Sequence, residues 1–559
     1  MSRKKHQPSC YEDKISHVRQ FYFQQPAALN FCNQWQRTGR SGKQVGFTCD
    51  RMVKLPSGEL TLSTCFHAEK KGHAVIGIGC IRKFEAFCNG VLCCSTLNEG
   101  SLYDVFAPEN HPFLIPVNKG MNTLTVSVHS PEVKGALFCC KVLKKEDLKL
   151  PAVPFAPVLT HPGQGTLGII FRSIGAVGGG IEYRKEGEKK WQMIWDHRNG
   201  LIHRHSLHRI FLDDLLPQTV YEYRTVLIDP RDPDVRKKGP IRRFTAPPGE
   251  KDGRFSFFFT ADPQFTPEIQ RIFLKELLES SQAETCDFLV LGGDINSRYS
   301  NERIERDLLS VLQKYAGPEK SLVMLRGNHE LRGPEPDAFM DFWSDREGST
   351  YYMFRFGDTA FLVLDAWENR VADHPRSKYY SRHNLDDIFL QKEKEFVRKA
   401  VSSEPWQSAR RRIVLAHGAP CSHYDRAATM YKWLQEMTDG FFAGSDPVSP
   451  VHLWLAGHTH IYTRSIPGSD DLAALAPPPP PGKSGKEYIF PVMTVCGPNR
   501  KGLPQLSCFR VDGFPDGSLT VRAFDDQGDL FEEIRISEDH SIEEKLSLKH
   551  FAPGEFQPK

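Results

Sequence analysis

Apolar runs alternating with polar positions and bounded by turn residues fill the first 150 positions: QVGFTCDRMV, ELTLSTCFHA, HAVIGIGCI, FEAFCNGVLCC, FLIPVNKGMNTLTVSVHS and GALFCCKVL. Period-two alternation between turn signals predicts strands, and strands in such numbers without helical stretches predict an all-β sandwich over 1–150. LPAVPFAP at 150–157 reads as a linker to a second β-unit, 151–248. In LLPQTVYEYRTVL, Pro217 and Thr219 turn the chain before Tyr221 and Tyr223 alternate along a strand, and RRFTAPP at 242–248 reads as an exit strand and hinge. From Arg254 the period changes. FSFFFT (255–260) predicts a strand, and TPEIQRIFLKELLESS predicts a helix with Thr266 as N-cap, Pro267 at its first position and Ile269, Phe273 and Leu277 on one apolar face. The strands FLVL (288–291), SLVML (321–325), AFLVLD (360–365), RRIVLA (411–416), VHLWLA (451–456) and YIFPVMTVC (488–496) follow, with helical stretches between several of them, so 249–540 is predicted to be an α/β unit and 541–559 a C-terminal tail.

Length supports this division, since 559 residues exceed what one core of about 100–200 residues encloses. Composition is that of ordinary globular protein, with 40% hydrophobic and 25% charged residues. A net charge of +3 gives no reason to expect nucleic acid or membrane as partner. MSRKKHQPSCYEDK has basic residues but no apolar region behind them, and no run of 18 uncharged apolar residues occurs, so cytoplasmic residence is the expectation. Ten of the 14 cysteines lie between Cys10 and Cys140, without any CxxC spacing. Free buried thiols acting as small hydrophobes are expected there in place of disulfides. The stretch 469–487, with five consecutive prolines from Pro477, reads as an exposed loop. Its GKS lacks the upstream glycine and leading strand of a phosphate loop.

Four short strings stand at the ends of apolar runs: ADPQF (261–265), LGGD (291–294), RGNHE (326–330) and AGHTH (456–460), with His417 in IVLAHG between the last two. Asp262, Asp294, Asn328, His417, His458 and His460 are hard or borderline metal ligands, and ligands at strand ends converge at one rim of a sheet. Two divalent ions roughly 3.5–4 Å apart, bridged by a carboxylate and a hydroxide, are one solution for hydrolysing phosphate esters.

The ordered series resembles the calcineurin-like metallophosphoesterase superfamily, whose pattern is D-x-H, G-D, G-N-H-E/D, a lone His and G-H-x-H. The resemblance implies a four-layer α/β/β/α sandwich and two metal ions drawn from Mn, Fe, Zn or Mg. It implies Asp262 and His460 on the first ion, Asn328, His417 and His458 on the second, and Asp294 between them. Gln264 stands where most members have His and would be a weaker, neutral ligand. His329 faces substrate in the family, which implies transition-state stabilisation and leaving-group protonation. Arg298 lies where the serine/threonine phosphatase branch has a phosphate-gripping arginine; a solvated arginine is the competing reading. Purple acid phosphatases place a fibronectin type III-like domain before the catalytic one, which 151–248 resembles through its tyrosine-corner pattern, but they carry a ligating tyrosine where Ser297 stands here. Residues 1–150 resemble jelly-roll, galactose-binding-like modules, which implies carbohydrate or surface recognition; a purely structural domain is the alternative.

Tyr379, Tyr380, Arg382 and His383, within DHPRSKYYSRH, are candidate substrate-pocket residues, with a solvated loop as the equal alternative; Cys421 and His423 read as loop residues. The expected function is metal-dependent hydrolysis of a small phosphoester. The alternative is a scaffold that keeps the fold without turnover, for which Gln264 is the sequence support. Composition and motifs leave substrate and oligomeric state open.

Overall fold

The computed structural model describes residues 29–31, 33–39, 41–49, 52–97, 111–129, 137–143, 153, 155–229, 232–313, 315–332, 335–365, 386–420, 433–434, 436–442, 451–465, 473–474, 490–498 and 504–546. The N-terminal region is all-β, a seven-stranded and a four-stranded antiparallel sheet. Strand Leu60–Ala68 buries alternate residues, as period two requires, and turns Leu62 and Phe66 inward. These meet Ile76, Ile78, Phe113, Ile115 and Phe138 of the smaller sheet in one core. Cys49, Cys80, Cys88 and Cys140 fill that core as free thiols, and burial pushes Cys88 up to about 12. Leu29–Phe31 and Gln34–Thr38 add two strands to the larger sheet.

In the second β-unit, Thr166–Lys185 runs for 20 residues, pairing first with Val158–Gly163 and Arg204–Leu212, then with Gln192–Trp195 and Val220–Asp229. Register shifts between Arg172 and Val177, so the strand serves both halves of the unit. The expected corner is present as a hydrogen bond: the Leu216 amide donates to the Tyr221 hydroxyl at 3.0 Å.

The expected hinge does not separate this unit from the α/β unit. Leu159 pairs with Ser321 in parallel, so strands of both regions join one 14-stranded sheet. The Tyr223 hydroxyl donates to the Pro318 carbonyl at 2.6 Å, and the buried Arg172 guanidinium lies 2.5 Å from the Glu305 carboxylate. Edge backbone groups left by a separable sandwich are instead paired across the seam.

Beyond the seam, Ser321–Met324, Phe288–Leu291 and Phe255–Thr260 continue that sheet in parallel, followed by four antiparallel strands from Cys508–Gly513 to Ile542–Leu546. Ile542–Leu546, expected in the tail, is the edge strand; the Ser537–Ser541 turn folds it back onto Leu530–Ile536. A second, seven-stranded sheet runs from Tyr352–Phe356 through Thr359–Leu364, Arg411–Ala416 and Leu453–Ala456. Phe257, Phe259, Val290 and Val323 face Phe361, Val363, Ile413 and Leu455 across the space between the sheets. Alternate residues turn outward: Phe258, Leu289 and Leu322 pack on the helical segments bearing Ile269, Phe273 and Leu277, while Leu362, Val414 and Trp454 pack with Val397 and Trp406. Thr266 caps the first of those segments as expected, accepting from the Ile269 amide. No described helix is long and apolar enough to cross a membrane.

Candidate metal centre

Parallel pairing sets the strand ends at one rim. Asp262 follows Phe255–Thr260, Asp294 follows Phe288–Leu291, Asn328 follows Ser321–Met324, His417 follows Arg411–Ala416, and His458 and His460 follow Leu453–Ala456. The loops bend at once. Asp262, Gln264, Asp294, His458 and His460 have φ of 58°, 40°, 55°, 69° and 58°, a left-handed conformation that L-residues adopt at a cost. Gly293 reaches φ 92°, and a Cβ there would stand 2.6 Å from the Gly327 amide nitrogen and 2.8 Å from His417 Nδ1, so only glycine admits this approach.

The donor atoms converge. Asp262 Oδ1 lies 3.3 Å from His460 Nε2 and 3.9 Å from His417 Nε2; Asp294 Oδ1 lies 3.4 Å from His417 Nε2; His417 Nε2 and His458 Nδ1 are 3.3 Å apart. Two overlapping ligand groups result, Asp262–Asp294–His460 and Asp294–His417–His458, sharing Asp294. Carbonyls fix the rings from behind: His417 Nδ1 donates to Gly292 O and His460 Nδ1 to Pro498 O, each at 2.7 Å, leaving Nε2 of both free to bind.

These donors fit a metal. Asp262 is fully buried, yet its Oδ1 has no hydrogen-bond partner, a state that a cation relieves. The Asn328 amide lies 2.8 Å from His458 Nδ1 and 3.3 Å from His417 Nε2, with Arg332 nitrogens 2.7 and 3.1 Å away on its other side. With its nitrogen toward the histidines it satisfies all four contacts; turned by half a rotation, it would offer Oδ1 to an ion between those histidines. Charge follows the same logic. Burial opposes ionisation of Asp294, but His417 and His329 hold it well below the carboxylate range. Burial likewise opposes charge on His417, and the Asp294 and Asp262 carboxylates outweigh it, pushing the imidazole up to about 10. The two carboxylates thus favour positive charge at this point of the site.

Glu330 and Arg332 are site residues that the motifs alone did not single out. Fully buried Glu330 accepts the amides of Asp294 at 2.7 Å, Gly327 at 2.8 Å and Ile295 at 2.9 Å, tying two ligand loops together. Burial and the Asp294 carboxylate push it up to about 7. An acid immediately after Asn328-His329 was the available signal. His329 Nδ1 lies 2.8 Å from the Ser297 carbonyl, and its Nε2 lies 2.8 Å from an Arg332 nitrogen, so Nε2 accepts in this arrangement. Arg298 is exposed, and the guanidinium adjoining Asn328 and His329 is that of Arg332. Gln264 is half-buried, and its backbone amide donates to Asp294 O at 3.1 Å. Tyr299 donates to Asn301 Oδ1 and packs on Phe339, so it is committed to the core. Tyr379, Tyr380, Arg382 and His383, like Cys421 and His423, lie outside the described residues.

Residues 255–462 match the calcineurin-like phosphoesterase family and form a domain of that family. No curated protein matches the chain. Among solved structures, a purple acid phosphatase from yellow lupin (Lupinus luteus) seeds is similar at 13% identity and TM-score 0.47, covering 86% of this chain and 93% of its own. PhoD is similar at 13% identity and TM-score 0.46, covering 71% and 93%.

Proposed function

We propose that the phosphoesterase domain hydrolyses small phosphoesters with two divalent or transition-metal ions, Mn, Fe, Zn or Mg. Asp262, His460 and the Gln264 carbonyl would hold the first, Asn328, His417 and His458 the second, and Asp294 both. The observation that carries this reading is the buried Asp262 oxygen without a hydrogen bond, turned toward two imidazoles. When bound, the ions supply Lewis acidity to the phosphoryl oxygens and lower the pKa of water from 15.7 toward about 7.

The chain's own residues divide the remaining work. Asp294 and Asp262 set the spacing of the two halves through loops that they themselves hydrogen-bond: Asp262 Oδ2 accepts the His458 amide at 2.6 Å, and Asp294 Oδ1 accepts the His329 amide at 2.7 Å. Arg332 offers its forked donors to phosphate oxygens in preference to Arg298. Engaging phosphate withdraws its N–H from His329 Nε2, which then takes a proton from solvent and passes it to the leaving oxygen. The outward-packed helices on both sheets are read as the four-layer sandwich, and 1–150, 151–248, 249–540 and 541–559 as its N-terminal sandwich, fibronectin-like unit, catalytic unit and tail, with the first strand residues of that tail docked.

The test is hydrolysis of p-nitrophenyl phosphate and bis-p-nitrophenyl phosphate by purified protein with Mn, Zn, Fe, Mg or no metal, beside His329→Ala and Asp294→Asn. Turnover that requires metal and collapses in both variants is expected. Bound metal without turnover on either ester, or turnover unaffected by both substitutions, overturns the assignment.

A further inference from the structure

A second cluster of metal-type donors lies in the second β-unit, away from the rim that gathers the phosphoesterase ligands. Asp196 follows strand Gln192–Trp195 and meets two histidines of strand Arg204–Leu212. Its Oδ2 lies 2.6 Å from His205 Nε2 and 3.3 Å from His208 Nδ1, and one donor atom from each residue falls within 4.8 Å of the others. Tetrahedral zinc, with bonds of about 2.0–2.1 Å, sets its ligand atoms roughly 3.3 Å apart. His208 and Asp196 already have that spacing. The His205 contact is at hydrogen-bond length, and its side chain, 31% exposed, has room to open it.

The frame around these donors is built. Asp196 donates its amide to Gly179 O and accepts the His203 amide on its carbonyl, both at 2.9 Å. The fully buried His208 ring lies flat on Gly179, where a Cβ would come 2.5 Å from its Cγ, so the glycine run at 178–180 makes room for the imidazole. His208 Nε2 sits 3.5 Å from the Ser173 hydroxyl, which itself reaches Ser206 O at 3.3 Å. Hydrogen bonding at Nε2 leaves Nδ1 as the nitrogen aimed at Asp196, the arrangement by which a second partner orients a metal-bound imidazole. The His203 ring lies 3.7 Å from that of His205, tilted by 35°, and closes one side. A simple ion pair accounts for His205 and Asp196 alone. A hydrogen bond from His208 Nδ1 would account for the second contact only with the proton on Nδ1, whereas the Ser173 hydroxyl, donating to Ser206 O, calls for the proton on Nε2.

We propose that Asp196, His205 and His208 bind one zinc ion, with water in the fourth position. A carboxylate with two imidazoles is a borderline donor set that suits zinc, cobalt or nickel over magnesium or calcium. The ion clamps the 196–203 connection onto Arg204–Leu212. The next residue, Arg209, donates to the Ser344 carbonyl at 2.8 Å, so the clamp stiffens a strand that bears on the catalytic domain.

The test uses the full chain, stripped with chelator, loaded with zinc at micromolar concentration and desalted, with retained zinc counted by plasma mass spectrometry. Asp196→Asn and His205→Gln, which keep polarity and size, should each retain one equivalent fewer than the unsubstituted protein, with far-ultraviolet dichroism unchanged and metal-dependent ester hydrolysis retained. Equal retention in all three proteins overturns the proposal, as does zinc that appears only at millimolar concentration. Should either variant fold poorly, zinc-edge anomalous diffraction from unsubstituted crystals decides: a peak bonded to His205 Nε2 and His208 Nδ1 is expected, and featureless density there refutes it.

Discussion

Glu330→Gln separates loop stability from metal affinity. Burial and the Asp294 carboxylate lift Glu330 from an ordinary 4.5 to about 7, and 7 − 4.5 = 2.5 pKa units correspond to about 3 kcal/mol against the ionised form. Glutamine removes that charge. It can still accept the Asp294 and Gly327 amides on one oxygen, but its amide group faces the Ile295 N–H that Oε1 now accepts at 2.9 Å. The Asp294 and Gly327 bonds are already contained in that net shift, so the further cost is the lost Ile295 bond, about 1.5–3 kcal/mol. The two terms offset, so the metal-free variant should match the unsubstituted protein in urea unfolding within about 1 kcal/mol. Cations lose a buried carboxylate beside Asp294 and a fixed loop, and second-partner losses of this kind weaken metal binding by about 10–100-fold. Paired measurements of urea midpoint and of metal affinity by competition with a chelating dye check this. Unchanged metal affinity, or a loss of stability above about 3 kcal/mol in the metal-free protein, refutes the reasoning.

Arg172→Met leaves Glu305 as an uncompensated buried charge at the seam and should destabilise by about 3–5 kcal/mol, while adding Glu305→Leu should recover most of it; chemical unfolding of the two single variants and the pair measures this. His111 is buried, and desolvation lowers it to about 4. Between about pH 6.5 and 4 the unfolded chain therefore binds a proton that the folded chain refuses, and stability falls as pH falls; at pH 5 this term is about 2 kcal/mol. His111→Phe should flatten the acid side of the stability profile by that amount, read from urea midpoints at pH 7 and 5. Arg332→Ala should raise KM for phosphoesters and lower kcat, about tenfold or more in kcat/KM, whereas Arg298→Ala should leave both near their original values; steady-state kinetics with the two aryl phosphates decides.

The ligand strings were legible because each is local: a strand, a tight turn, then the donor. AGHTH carries His458 and His460 within five residues, and no long-range information is needed to see that they stand at one end of LWLA. Arg332 stands two residues beyond RGNHE, and its role depends on which way the turn after Asn328 runs, which is decided by Glu330 gripping amides more than 30 residues away. Strand Thr166–Lys185 was hidden by its own composition. Gly178, Gly179 and Gly180 carry no side chain to show a strand period, yet side chains of Ile228, His208 and Trp195 pass where their Cβ atoms would be. The seam was invisible for another reason: a parallel bridge between Leu159 and Ser321 leaves no trace in periodicity, since it asks only that both be strand residues. Asp196, His205 and His208 gave no signal because nothing in their spacing shows that strands separated by a turn bring them face to face.

Left-handed backbone at five site residues bears on how any substitution there is interpreted. At roughly 1–2 kcal/mol each, Asp262, Gln264, Asp294, His458 and His460 together store on the order of 5–10 kcal/mol. The bonds that hold this strain are the ligands' own: Asp262 Oδ2 to the His458 amide, Asp294 Oδ1 to the His329 amide, and the Gln264 amide to Asp294 O. Replacing an aspartate therefore removes a metal ligand and releases a neighbouring loop in one step, so loss of activity in Asp262 or Asp294 variants does not isolate coordination. His329 is different, because its ring bonds to Arg332 and turns its second nitrogen to Ser297 O, a residue outside the strained set, whereas Arg332 also donates to the amide oxygen of Asn328. If His329 acts on substrate, its alanine variant should keep full metal occupancy and the metal-induced rise in melting temperature while losing turnover. A His329 variant that loses metal and turnover together would instead assign that residue to the same frame as the aspartates.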